Sequence, residues 1–226
     1  MAFAPSLLTS LEALEAPGLY AAVTRAYHLA RVAASYAPFA YVNTAAAVRA
    51  RLYPFLRALR MKEAQALPLG VAGFCWGGYW CFQLARADAT VAHPDAVGAE
   101  GGAEGGAEGK EEGAQSDAAA RPLADALFTA HPSLMAIPTD VDTATRPMSI
   151  AAAGIDARYP AADVETTRAI LARRTEESGT PHEVRVYEGC HHGFALRGSR
   201  EEGEGGAEAE KQALAWFEGR FGELKV

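Results

Sequence analysis

Apolar residues between Leu7 and Arg60 recur mostly at helical spacing. Val48, Leu52, Phe55 and Leu59 fall three or four residues apart, as one buried helical face requires, and Pro54 is expected to bend or restart that helix. Met1 to Ala66 is therefore predicted as a mostly helical lead-in, with His28 and its tyrosines as packing residues. At LPLGVAGF the pattern changes. A short run that is apolar at every position predicts a strand buried on both faces. GGYWCFQLARAD returns to helix and carries Cys81 as a core residue. LADALFTA and RPMSIAAAG then read as strands, with HPSLMAIP as the loop between them. DVETTRAILARRTEESG predicts a helix with Asp163 as N-cap and Gly179 as stop. HEVRVYEG alternates like a strand, CHHGF is a loop, and KQALAWFEGRF is a closing helix. Strands alternating with helices from residue 66 onward predict an α/β fold, a parallel sheet with helices on both faces.

Two stretches interrupt this pattern. Ala99 to Ala118 is almost entirely Gly, Ala and Glu, with too little apolar surface to offset the entropy of ordering, and is expected to be a disordered insertion. Ser199 to Lys211 is read as a second acidic insert before the closing helix. Ala99–Asp117 holds six acids against one lysine, and Ser199–Lys211 five acids against two bases, so these stretches account for the whole net charge of −7. The acidity therefore says little about a substrate. The absence of a basic stripe argues against nucleic acid. At 226 residues the chain is expected to form a single domain. No stretch approaches the roughly 18 uninterrupted apolar residues of a membrane span, and the N-terminus lacks the basic start of a signal peptide. Cys75, Cys81 and Cys190 are odd in number and unevenly spaced, which fits reduced thiols and a cytoplasmic location. CHH at 190–192 has no second ligand cluster to complete a metal site.

The chemistry gathers around GFCWGG, at Gly73–Gly78. Strand, G-x-C-x-G, then helix is the nucleophile-elbow pattern with cysteine replacing serine. Gly73 and Gly77 supply the small residues that a tight turn needs, and Gly78 lets the helix approach the sheet. The helix N-terminus favours a thiolate at Cys75, and the backbone N–H of Trp76 is the expected oxyanion donor. Acid and base follow in chain order: Asp156 directly after one predicted strand and His192 after the next. Asp140 and Asp142, in the loop before a strand, are weaker acid candidates. Taken singly, Asp156 is an ordinary turn former and His192 a loop histidine. Three loops on one sheet edge favour a Cys-His-Asp site.

GFCWGG, FTAHPS, GIDARYP and HHGFALRG together resemble the dienelactone hydrolase family, particularly its fungal members. The resemblance runs from Leu67 to about Gly198 apart from the glycine-rich insertion, and the closing helix is compatible with it. It implies an α/β-hydrolase fold and the opening of a lactone or activated ester, as by carboxymethylenebutenolidase, with no metal or cofactor. Carried over by motif, Cys75 is the nucleophile, Asp156 the orienting acid and His192 the base. The implied partner is a small-molecule substrate met by a monomer, without nucleic acid or membrane. The family also places strands ahead of the nucleophile strand, and one of their loops gives a second oxyanion N–H and a glutamate beside the cysteine. Met1–Ala66 reads as helix instead, so the sheet is expected to be incomplete on its N-terminal side. Family arginines hold an acidic substrate, and Arg197 stands one residue from such a place. The alternative is a truncated, weak or inactive relative with a binding role or none. A thiol redox protein is a poor third reading, since no C-x-x-C is present.

Overall fold

Helices give way to strands where the pattern changes, near residue 66. A computed structural model describes residues 19–92, 120–197 and 204–223. The chain divides into two compact units, Met1–Phe55 and Leu56–Val226. Helices α1 (Leu19–Val42) and α2 (Ala45–Met61) both run through a proline, Pro38 and Pro54 respectively. Pro54 therefore does not restart its helix, because a proline removes one backbone bond while the turns on either side keep theirs. The expected face is also shifted: Phe55 is exposed, whereas Leu56 and Arg60 are buried. The Arg60 guanidinium donates to Pro122 O at 2.9 Å, Leu67 O at 3.1 Å and Asp125 Oδ2 at 2.5 Å. Asp125 also accepts from Leu69 N at 2.7 Å. A buried charge is tolerable only when its donors are satisfied in this way. The cluster pins the chain just before two strands.

Those strands are β1 (Gly70–Phe74) and, after β2 (Thr90–Ala92) and β3 (Ala120–Pro122), β4 (Ala126–Ala130). With β5 (Met148–Ile155) and β6 (His182–His191) they form a sheet in the order β1-β4-β5-β6, every pair parallel. The pair β2–β3 is antiparallel and brackets residues 93–119, so the predicted insertion Ala99–Ala118 lies outside the described residues. Contrary to expectation, β1 is not buried on both faces. Ala72 is exposed, and β1 ends the strand order with β4 as its one neighbour among the described residues. No described strand precedes it.

Helices cover both faces. Helix α3 (Trp76–Leu84) lies on the face that carries Gly73 and Thr129. After the short α4 (Thr139–Asp142), α5 (Ala161–Ser178) packs on β5 and β6. Pro160 occupies the N-cap position of α5, which puts Asp163 in the first turn rather than at the cap. Gly179 stops the helix with φ 71°, in the left-handed region that glycine enters freely. Short α6 (Phe194–Arg197) leads to α7 (Gly205–Glu223) on the other face, over Phe128, Ala130, Ala151, Ala153 and Tyr187.

Helix α7 corrects the reading of Ser199–Lys211 as an insert, since residues 205–211 are its first two turns; residues 199–203 lie outside the described set. The glycines there are contact residues. A Cβ on Gly205 would run into the Cys190 sulfur, and one on Gly206 would sit 3.0 Å from Phe194 O. Gln212 then locks the helix down. It accepts from Tyr187 Oη at 2.7 Å and donates to Ser149 Oγ at 2.9 Å and Glu183 Oε1 at 3.1 Å. Among the described residues no helix is long and apolar enough to cross a membrane.

Candidate active site

Strand β1 delivers its last residue level with the end of β4, because Phe74 pairs with Ala130. Cys75 follows at once and turns sharply, with φ 53° and ψ −118°. A non-glycine residue holds such a conformation only when its surroundings impose it, at about 1–3 kcal/mol. Here Cys75 N donates to Ala130 O at 3.2 Å, while Cys75 O accepts from Gly78 N and Ser133 N, both at 3.0 Å. Two glycines make room. A Cβ on Gly73 would strike the Gly77 carbonyl and the Cys81 sulfur, and one on Gly78 would come within 2.5 Å of Pro132 and Thr129. Gly77 departs from the expectation, since the space where its Cβ would stand is open. Cys81 is fully buried and its Sγ lies 3.3 Å from Phe128 O; burial pushes this thiol up to about 12, so it stays protonated.

Cys75 has a different setting. The Nε2 of His192, in the turn between β6 and α6, is 3.0 Å from Cys75 Sγ, and its Nδ1 is 2.7 Å from Asp156 Oδ2. Asp156 follows β5, is largely buried, and takes a second bond from Arg158 N at 2.8 Å. An ionised carboxylate only accepts, so Nδ1 carries the proton and Nε2 faces the sulfur. Burial by itself would push the Cys75 thiol up. Hydrogen bonds to His192 and Ser133, the imidazolium charge, and the backbone N–H of Trp76 outweigh it and bring the thiol down to about 7. Burial works against charge on His192 too, but its bonds to Asp156 and Cys75 and their charges raise it to about 9. Between those values the pair rests as thiolate and imidazolium.

The other sequence candidates have other work or other places. Asp140 accepts from Gln83 Nε2 at 2.9 Å and Ala136 N at 2.7 Å, and Asp142 pairs with Arg173 at 2.6 Å. Arg197 ends α6, and its side chain lies outside the described residues. His191 is exposed as the last residue of β6.

Two neighbours of the site went unread in the sequence, although FTAHPS contains them. His131 is buried, its ring edge-on to His192 at 5.0 Å and near Phe194 and Phe74 at 5.7 and 6.2 Å. Ser133 Oγ stands 3.5 Å from Cys75 Sγ. The available signal was position: both follow β4, the strand beside the nucleophile strand, on the same sheet edge. A cleft of about 230 Å³ between β1, β4 and α7 is lined by Phe74, Phe128, Ala195, Ala209, Glu210 and Ala213, and none of Cys75, His192, Asp156 or Ser133 borders it.

Residues 113–221 match the model of the dienelactone hydrolase family, a stretch that includes Asp156 and His192 and begins after Cys75. Over 96 residues the chain is 34% identical to hydrolase tropI of Talaromyces stipitatus, covering 41% of this chain and 36% of that protein. The chain therefore spans about a third of the length of that curated relative. It is also similar to an acetyl ester-xyloside bifunctional hydrolase from Caldicellulosiruptor lactoaceticus, at 15% identity and a TM-score of 0.45 over 74% of this chain and 63% of the other. A carboxylesterase, Cest-2923 from Lactobacillus plantarum, is similar at 13% identity and a TM-score of 0.45, over 75% and 66% of the two chains.

Proposed function

We propose that this chain, whose residues 113–221 are of the dienelactone hydrolase type, hydrolyses a lactone or activated carboxylic ester through Cys75, His192 and Asp156. The observation that carries the reading is the unbroken relay from Sγ through the imidazole to a buried carboxylate, at 3.0 and 2.7 Å. The Cys75 thiolate attacks the carbonyl carbon, and the oxyanion that forms draws on the Trp76 N–H. Collapse of that intermediate breaks the C–O bond, and His192 gives its proton to the leaving alkoxide. In a lactone the resulting hydroxyl stays tethered to the acyl group. Neutral His192 then takes a proton from water, hydroxide adds to the thioester, and the thiolate departs. Asp156 holds the ring so that Nε2 faces the sulfur in each step.

A weak hydrolase is the second reading, and a specific feature favours it. Elbow hydrolases draw a second oxyanion donor from a loop after an earlier strand. No described strand precedes β1. Loss of one donor lowers turnover by roughly 10²–10³. p-Nitrophenyl acetate hydrolysis by the purified chain tests both readings. Turnover with an acetyl-enzyme visible by mass spectrometry and absent in Cys75→Ala supports the proposal. Turnover about 10²–10³ below that of a full-length family hydrolase supports the weaker form. No turnover and no acyl-enzyme would overturn it.

A further inference from the structure

The loop after β4 presses three consecutive residues onto the cysteine elbow. His131 N is held by Ala151 O at 2.8 Å, and Ser133 N by Cys75 O at 3.0 Å. Positive φ values at His131 (38°) and Leu134 (65°) flank the segment and fold it back over Cys75. His131 stands against His192, and Pro132 fills the space beside Gly78. Ser133, only 3% exposed, brings its hydroxyl to 3.5 Å from Cys75 Sγ. Resting on the cysteine chemistry above, we propose that Ser133 is a further catalytic residue, a hydroxyl donor that holds the Cys75 thiolate ready for attack.

The direction of the bond follows from the chemistry. A thiolate has no proton to give, so in that state Ser133 O–H donates and the sulfur accepts. His192 donates to the same sulfur through Nε2 and the Trp76 backbone N–H adds a third donor, so the charge is shared among three groups. When the sulfur attacks a carbonyl its negative charge passes to oxygen, and the serine bond weakens without any proton having to move. The same hydroxyl limits Sγ to the position facing His192. The titratable groups around it are His192 itself, Asp156 behind it, and His131 from the β4 loop.

Iodoacetamide alkylation of Cys75, measured as rate against pH, reports thiolate formation without requiring any ester to be cleaved. Ser133→Ala retains the backbone bond to Cys75 and should raise the midpoint of that profile by about half a unit to one unit, with a melting curve close to wild type. If the alanine variant does not fold, Ser133→Thr and Ser133→Val, nearly equal in shape, take its place. Threonine should then lie nearer the wild-type midpoint than valine. An unchanged midpoint in folded Ser133→Ala, or equal midpoints for Thr and Val, would overturn the assignment while leaving the hydrolase proposal intact. A shifted midpoint in a chain that turns over no ester upholds Ser133 as a thiolate ligand and rejects the hydrolase proposal alone.

Discussion

Two adjacent histidines, one ending β6 and one in the turn after it, differ in their contacts. His192 touches both Cys75 and Asp156, while His191 is exposed at the end of β6. His192→Gln should lower kcat/KM for p-nitrophenyl acetate by about 10²–10⁴, whereas His191→Gln should stay near wild type. Equal losses would show that the relay at His192 is not what drives turnover. Cys75 itself carries a backbone cost, since φ 53° is strained for any residue with a Cβ. Glycine usually destabilises a fold through entropy, but at this position the sign should reverse. Cys75→Gly is expected to be more stable than Cys75→Ala by about 1 kcal/mol, read from denaturant midpoints at a common m-value.

At the scale of elements, helix α7 shows how one residue type serves opposite ends. Gly205 lies where a Cβ would run into Cys190, and Gly219 on the same helix has nothing within 4 Å of that position. Gly205→Ala should therefore cost about 1–3 kcal/mol, because the helix must lift from β6. Gly219→Ala should gain about 0.5–1 kcal/mol from helix entropy. Thermal melts of the pair decide the point, and a stabilised Gly205→Ala would mean that the contact yields. Composition alone marked the stretch around Gly205 as an acidic insert. The close approach to Cys190 and Phe194 gives its glycines a packing purpose that composition does not record.

At the scale of the whole molecule, three groups act on stability between about pH 4 and 9. Burial, helped by Arg174, lowers His182 to about 4, and its ring nitrogens have no hydrogen-bond partner among the described residues. The unfolded chain then binds the extra proton, so this contribution is lost as pH falls from about 6.5 toward 4. The Cys75 thiol, lowered to about 7, contributes fully above its unfolded value of 9.0 and loses that contribution as pH falls through 7. His192, raised to about 9, contributes fully below 6.5 and loses it as pH rises through 9. Between about pH 7 and 9 the rising Cys75 contribution and the falling His192 contribution offset each other, so the melting temperature should stay nearly level there. It should fall on the acid side, below about 6.5, as His182 takes up its proton in the unfolded chain. Cys75→Ala should turn that level stretch into a decline with rising pH, because His192 keeps the part of its rise that Asp156 supplies, while His182→Gln should soften the acid limb. A Cys75→Ala profile that matches wild type would show that the thiolate–imidazolium pair adds nothing to the fold.

Local chemistry was enough to read most elements and to single out Cys75, Asp156 and His192, which the structure brings within hydrogen-bonding distance in series. Periodicity marks the change from helix to strand, Gly179 stops α5, and the glycines around Cys75 announce a tight turn whatever surrounds them. The chain order Cys75, Asp156, His192 likewise follows from strands that each end in a loop on one sheet edge. What remained hidden depends on which strands become neighbours. Because β4 pairs with β1, its following loop reaches the sulfur, and an unremarkable HPS sequence becomes His131 against His192 and Ser133 against Cys75. Because β1 ends the sheet order, a run of residues apolar enough for burial leaves Ala72 exposed. Residue type and spacing act along the chain and can be read there. Burial, and the second hydrogen-bonding partner of a side chain, come from segments far apart in sequence, so only the tertiary structure decides them.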